Sequence, residues 1–355
     1  MTTISSTNNA TALSILQRMN APENTSSNTK ASALTDVLGP IQSISDASKQ
    51  AAQRIVAILH DNGGTIDLSS YTRASADVSA LNNATITTGD GNTSIEALDR
   101  ATIHSGSGND HANVQNYATI YAGAGNDVLR AYSNAKIDAG AGNDWVSAYD
   151  HATVDGGDGN DEIRTYDYST VDAGNGDDVV VTLGNSTIEG GAGNDTLIVT
   201  SHRSEKNSTF DNATVDGGDG DDYIQVNGNS TVTGGTGNDT IRVLGNGTTI
   251  NYRKGDGQDT IGIGTTNITA PANTTINIGG YSKNDVTLTR GDTGVTVSFK
   301  GSEDSLTLQF EYGSARLSFE DGASLDVTPT DFTRLQHLQA FVDAPVGGGD
   351  LEWLT

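Results

Sequence analysis

Nine aspartates stand where the sequence could do chemistry: Asp110, Asp127, Asp144, Asp161, Asp178, Asp195, Asp222, Asp239 and Asp259. Each is the sixth residue of a short stretch: "SGSGNDHA", "AGAGNDVL", "AGAGNDWV", "GGDGNDEI", "AGNGDDVV", "GGAGNDTL", "GGDGDDYI", "GGTGNDTI" and the variant "KGDGQDTI". Two glycines precede every aspartate at fixed offsets: Gly106 and Gly108, Gly123 and Gly125, Gly140 and Gly142, Gly157 and Gly159, Gly174 and Gly176. The series continues with Gly191 and Gly193, Gly218 and Gly220, Gly235 and Gly237, Gly255 and Gly257. Glycine admits left-handed backbone, so carbonyl oxygens can be turned toward one point. The aspartate then adds a charged oxygen to neutral ones. Calcium takes 6–8 oxygens at 2.3–2.6 Å and tolerates irregular geometry, whereas magnesium demands a tight octahedron and keeps water. The expected cofactor is therefore Ca2+, several ions in one row, each between two stacked loops.

Stacking is what the spacing requires. The first six aspartates recur every 17 residues; the step to Asp222 is 27, one period plus a ten-residue insertion, and the next is 17 again. A fixed period over half a chain means a repeat architecture. Ile103, Ile120, Ile137, Val154, Val171, Ile188, Val215 and Val232 precede the glycine turns. Two residues after the aspartates come Ala112, Leu129, Val146, Ile163, Val180, Leu197, Ile224, Ile241 and Ile261. Four after them lie small or β-branched residues such as Val114, Ala131, Ala148, Thr165 and Thr182. Period-two alternation makes strands with one inward face. The fold expected is all-β: a thin parallel β-solenoid (β-roll or β-helix) of about 17 residues per turn, rising about 4.8 Å each time. The opposite corner reads "QNY", "YSN", "YDH", "YDY", "LGN" and similar, which suits tight turns of positive φ. Tyr132, Tyr149 and Tyr166 lie one period apart and should stack, as packing or as a carbohydrate platform.

The motif G-G-x-G-x-D-x-U-x, with U a large apolar residue, closely resembles the calcium-binding nonapeptide of RTX (repeats-in-toxin) proteins. The resemblance implies that the side chain of Asp161 binds calcium with the carbonyls of Gly157 and Gly159, and that the other eight aspartates act likewise with their glycines. The leading stretch "TGDGNTSI" has Thr93 at the ligand position and reads as a degenerate edge. In the family two nonapeptides make each turn; here one alternates with an eight-residue half lacking the motif, so the ions should line a single edge. Residues 264–330 resemble the β-rich segment that often follows RTX repeats, and 331–355 would be a tail carrying an uncleaved type I secretion signal.

Around the solenoid, assigned to 61–263 with 61–81 as a transition, the chain changes character. Residues 1–30 are polar and read as disordered. Residues 31–60 read as a helical cap, with Ile41, Ile44, Ala51, Ile55 and Leu59 at helical spacings; the segment would hide the first edge or serve a partner or secretion. The insertion at 200–209 is basic and reads as a solvated bulge or a partner contact.

Composition excludes several classes. With 19 Lys and Arg against 45 Asp and Glu, a formal charge of −26 argues against nucleic acid as partner. No cysteine is present, so there is neither a disulfide nor a thiolate metal site. No apolar run is long enough to span a membrane as a helix, and the start lacks the features of a cleaved Sec signal. The six histidines form no HExxH, and GxSxG and phosphate-loop motifs are absent. The strongest enzymatic hint is Tyr149–Asp150–His151, which sits at an ordinary corner of its repeat. The leading expectation is thus a secreted calcium-binding repeat protein with a structural, adhesive or surface-associated role, cell-surface or matrix polysaccharide being one partner considered. A parallel β-helix polysaccharide lyase or epimerase, and a secreted effector, are the alternatives.

Overall fold

A computed structural model describes residues 54–59, 63–70, 75–200, 212–264, 272–291, 294–311 and 313–328. The turn around Asp161 shows how the repeat folds. Strand Thr153–Asp158 turns Val154 and Gly156 inward and Thr153 and Asp155 outward. After the glycine–aspartate corner, strand Glu162–Thr165 buries Ile163 and Thr165. Each strand then pairs in parallel with its equivalent one turn on, Val154 opposite Val171 and Ile163 opposite Val180. Repetition gives one 15-stranded and one 14-stranded sheet, in about 11 turns of about 17 residues. The solenoid is parallel over its repeats, as the period-two pattern requires.

Between the sheets the inward residues form one continuous apolar cluster. Ile137, Val154, Val171, Ile188, Val215, Val232 and Ile250 follow one another in register on one wall. Leu129, Val146, Ile163 and Val180 begin the column on the other. The insertion leaves this continuity intact, because Ile188 pairs directly with Val215. Its own residues, 201–211, lie outside those described.

One expectation is corrected at the N-terminal edge. Arg54–Leu59, the end of the expected helical cap, is a strand paired in parallel with Ser75–Ala80. Ile55, Val56 and Ile58 are β-branched, and the open edge of the solenoid offers a ladder of backbone partners that outweighs helical spacing. Ala57 is buried there and Ile58 exposed. The remainder of the expected cap, 31–53, and the tail 331–355 lie outside the described residues. The expected transition at 61–81 already contains regular solenoid strands, Thr65–Asp67 and Ser75–Ala80.

At the other end the same two sheets continue into the C-terminal β-rich segment. Ser305–Phe310 pairs in parallel with Gln258–Ile263, and Val295–Phe299 and Val286–Arg290 add antiparallel strands beyond it. Gly313–Phe319 extends the second sheet beside Ala272–Gly279. Stacked Tyr252, Phe299 and Tyr281 fill this end in place of the small residues of the repeats.

Candidate metal centre

The nine aspartates converge on one interior column. Their residues are 1–4 % exposed, as deeply buried as the isoleucines beside them. The backbone conformation that aims them is local: Gly157 and Gly159 have φ of 101° and 128°, and the other motif glycines repeat these values closely. A side chain could not replace either glycine, because a Cβ at Gly157 would lie 1.9 Å from the Gly140 carbonyl oxygen of the previous turn.

Each aspartate uses its two oxygens differently. Oδ1 accepts the backbone N–H of the aspartate one turn earlier: Asp144 donates to Asp161, and Asp161 to Asp178, both at 2.7 Å. The ladder runs without a break from Thr93 N–H on Asp110 to Asp239 N–H on Asp259, crossing the insertion at Asp195 to Asp222. Oδ2 is buried and has no hydrogen-bond partner at eight of the nine, Asp110 through Asp239. The neighbouring asparagine column runs the other way, Asn160 N–H donating to Asn143 Oδ1 at 3.0 Å.

What Oδ2 faces is another acceptor. An idealised Cβ at Gly156 would lie 2.7 Å from Asp161 Oδ2 and 2.3 Å from the Ala173 carbonyl oxygen of the next turn. Two lone-pair oxygens meeting in a buried space without a proton between them call for a cation. The degenerate first repeat shows what replaces it. There Thr88 Oγ1 donates to the Ser105 carbonyl at 2.6 Å, and Thr93 Oγ1 to the Gly91 carbonyl at 3.0 Å. Those carbonyls correspond to Ala173 and Gly159 around Asp161, where glycine and aspartate stand in place of the two threonines. The carbonyls available to an ion are thus those at the first and fourth motif positions. The second-position carbonyls are taken into the ladder, as at Ala141 N–H to Gly123 O, 2.8 Å. The first position carries its own signal in the sequence, the replacement of Thr88 and Ser105 by Gly and Ala down the column.

Burial without compensation is costly here. It pushes the carboxyls of Asp161, Asp195 and Asp239 up to about 6, those of Asp110, Asp144, Asp178 and Asp222 to about 7, and that of Asp259 to about 8. Asp127 is raised by the same cause. Among the described residues no three His, Asp or Glu side chains surround a common point. What stands together instead is one carboxylate oxygen per turn and backbone carbonyls, hard oxygens of the kind that suits calcium and not a transition metal.

The profile of the RTX calcium-binding nonapeptide repeat matches in four copies, within residues 119–146, 172–199 and 225–243. The chain carries RTX calcium-binding repeats. The matched stretches contain Asp127, Asp144, Asp178, Asp195 and Asp239; the other four aspartates of the column, Asp110, Asp161, Asp222 and Asp259, share their hydrogen-bond ladder. No curated protein matches the chain.

The corner opposite the RTX turns carries no such convergence. Tyr149 lies stacked between Tyr132 and Tyr166, with ring centroids 5.1 and 4.7 Å apart, which occupies both of its faces. His151 stacks on Tyr168 and sits at φ 61°, in the left-handed turn that this corner requires. Along the middle of the ladder the rings cover one another's faces and present their edges to solvent, Tyr149 remaining 41 % exposed. A shallow cavity of about 280 Å³ is lined by Asn251, Arg253, Asn277, Ser318 and Glu320 among others. Among the described residues no helix is long and apolar enough to cross a membrane.

Proposed function

We propose that the interior column is a row of calcium sites and that the ions complete the folding of a secreted solenoid with a structural or adhesive role. The observation that carries this reading is the buried, partnerless Oδ2 of eight of the nine aspartates, which at Asp161, Asp195 and Asp222 lies beside a carbonyl oxygen of the next turn. Asp110, Asp127, Asp144, Asp161, Asp178, Asp195, Asp222, Asp239 and Asp259 would supply the carboxylates, and the carbonyls at the first and fourth motif positions the neutral oxygens. A bound divalent ion supplies the positive charge that the buried carboxylates lack.

The energetic case is direct. Each turn buries two or three large aliphatic side chains, such as Val154 and Ile163, contributing roughly 1.5–3 kcal/mol apiece. One uncompensated buried carboxylate offsets about one of them, since a carboxyl raised by two pKa units is disfavoured by about 3 kcal/mol when charged. A calcium-free chain is then marginal, and calcium adds stability by mass action. Low calcium inside the producing cell would keep the chain loose, and high calcium outside would fold it. Export by a type I route, with residues 331–355 as the uncleaved address, accords with that order of events. Far-UV circular dichroism of the full chain with chelator and then with calcium tests the proposal. It expects calcium to raise the β content of a marginal chain and to raise its melting temperature markedly; identical spectra and melts in both would sink it.

A further inference from the structure

The first motif position varies where the second and fourth do not. It is Ser105, Ala122, Ala139, Gly156, Ala173, Gly190, Gly217 and Gly234 down the column. None of Gly156, Gly190, Gly217 and Gly234 has positive φ, so the backbone there does not demand glycine. What these glycines leave is room. A Cβ would lie 2.5 Å from Asp195 Oδ2 and 2.4 Å from the Gly217 carbonyl at Gly190, and 2.2 Å from both Asp222 Oδ2 and the Gly234 carbonyl at Gly217. At Gly234 it would lie 2.1 Å from Asp239 Oδ2.

At Gly156, Gly190 and Gly217 a carboxylate and a carbonyl oxygen both lie within 2.7 Å of one point, close enough together to share one ion with bonds of 2.3–2.6 Å, and Gly234 leaves the same room beside its carboxylate. A methyl carbon cannot come so near either of them. Where alanine occupies this position, at Ala122, Ala139 and Ala173, its methyl group is fully buried and takes the room that glycine leaves. At Ser105 the hydroxyl donates to the Ala122 carbonyl at 3.1 Å and so takes up an oxygen that an ion would use.

We infer that the residue at this position sorts the gaps into two classes. The gaps at Gly156, Gly190, Gly217 and Gly234 bind calcium tightly; those at Ser105, Ala122, Ala139 and Ala173 bind it weakly. Tight sites therefore lie toward the C-terminal half of the column, at Asp161 and then Asp195, Asp222 and Asp239, with the weak gap at Ala173 between the first two. This sorting rests on the proposal that the column binds calcium at all. It gives the chain a graded response, with the C-terminal turns filling first and the N-terminal turns only at higher calcium.

The test is equilibrium calcium counting on the full chain, by dialysis and elemental analysis across a range of free calcium. Four ions should form a tight class, with the remaining gaps about 10- to 100-fold weaker, the scale at which supporting groups tune a metal site. Gly190→Ala should remove one tight ion while the solenoid keeps its spectrum in calcium, since three turns already carry alanine there. Ala139→Gly should add one tight ion. A single class of equivalent sites, unmoved by either substitution, would overturn the sorting while leaving calcium binding intact. Absence of any bound calcium would overturn both.

Discussion

Asp161→Asn separates the cost of the buried charge from the benefit of the ion, because the two act with opposite sign. The asparagine has nearly the same shape, and its Oδ1 can still accept the Asp144 N–H that Asp161 now holds at 2.7 Å. Its amide can donate to the Ala173 carbonyl, which faces Asp161 Oδ2 across Gly156. In chelator above pH 7 the wild-type carboxylate is charged although burial has raised it from 3.8 to about 6. At about 1.4 kcal/mol per pKa unit, the substitution should stabilise the calcium-free chain by up to about 3 kcal/mol. In calcium the variant loses one ligand and hence one ion, which at a hundredfold excess over Kd is a loss of about 2.7 kcal/mol relative to wild type. Urea unfolding of both proteins, followed by circular dichroism in chelator and in calcium, reads the two effects. Destabilisation in both conditions would refute the reasoning, because the carboxylate would then be a structural acceptor with no unmet charge.

Other outcomes follow from the same geometry. Aspartates with folded values raised above 3.8 contribute stability that is present below about pH 4 and lost as pH rises through about 6 to 8, so the calcium-free chain should melt higher at pH 5 than at pH 8. Protons and calcium compete for the same oxygens, so apparent calcium affinity should fall as pH drops below about 7, read by calorimetric titration at pH 8 and pH 5.5. Thr93→Asp buries a charge where Thr88 and Thr93 hydroxyls already serve the carbonyls; it should lower stability in chelator by about 1–3 kcal/mol and add no tight ion. Tyr149→Ala breaks two ring stacks and should cost about 1–3 kcal/mol in a thermal melt, with the calcium count unchanged.

The repeat period and the alternation of Val154, Ile163 and their equivalents made the solenoid legible in the sequence, because side-chain direction in a strand follows from period two alone. Aspartate and glycine at fixed offsets likewise pointed to a cation turn. The division of labour within each carboxylate was not legible. It depends on which neighbouring turn presents its amide, and that is a matter of stacking geometry rather than of residue type. The strand at Arg54–Leu59 escaped for a related reason: its ladder partner, Ser75–Ala80, lies a full turn away, while helical spacing is a purely local signal. The second corner was expected to use Asn, Asp and Gly at positive φ, yet Arg100, Tyr117, His151 and Tyr168 hold φ of 59–61°. Ring and cation stacking such as Arg100 over Tyr117 and His151 on Tyr168 accompanies that unfavourable backbone, and no propensity scale contains it.

Anomalous diffraction from crystals grown in calcium tests the central claim most directly, because it locates the ions without assuming their ligands. The account predicts peaks inside the solenoid, strongest beside Asp161, Asp195, Asp222 and Asp239, within bonding distance of Oδ2. Peaks confined to the outward acidic row of Asp138, Asp155, Asp172, Glu189 and Asp216, with the interior column empty, would contradict it.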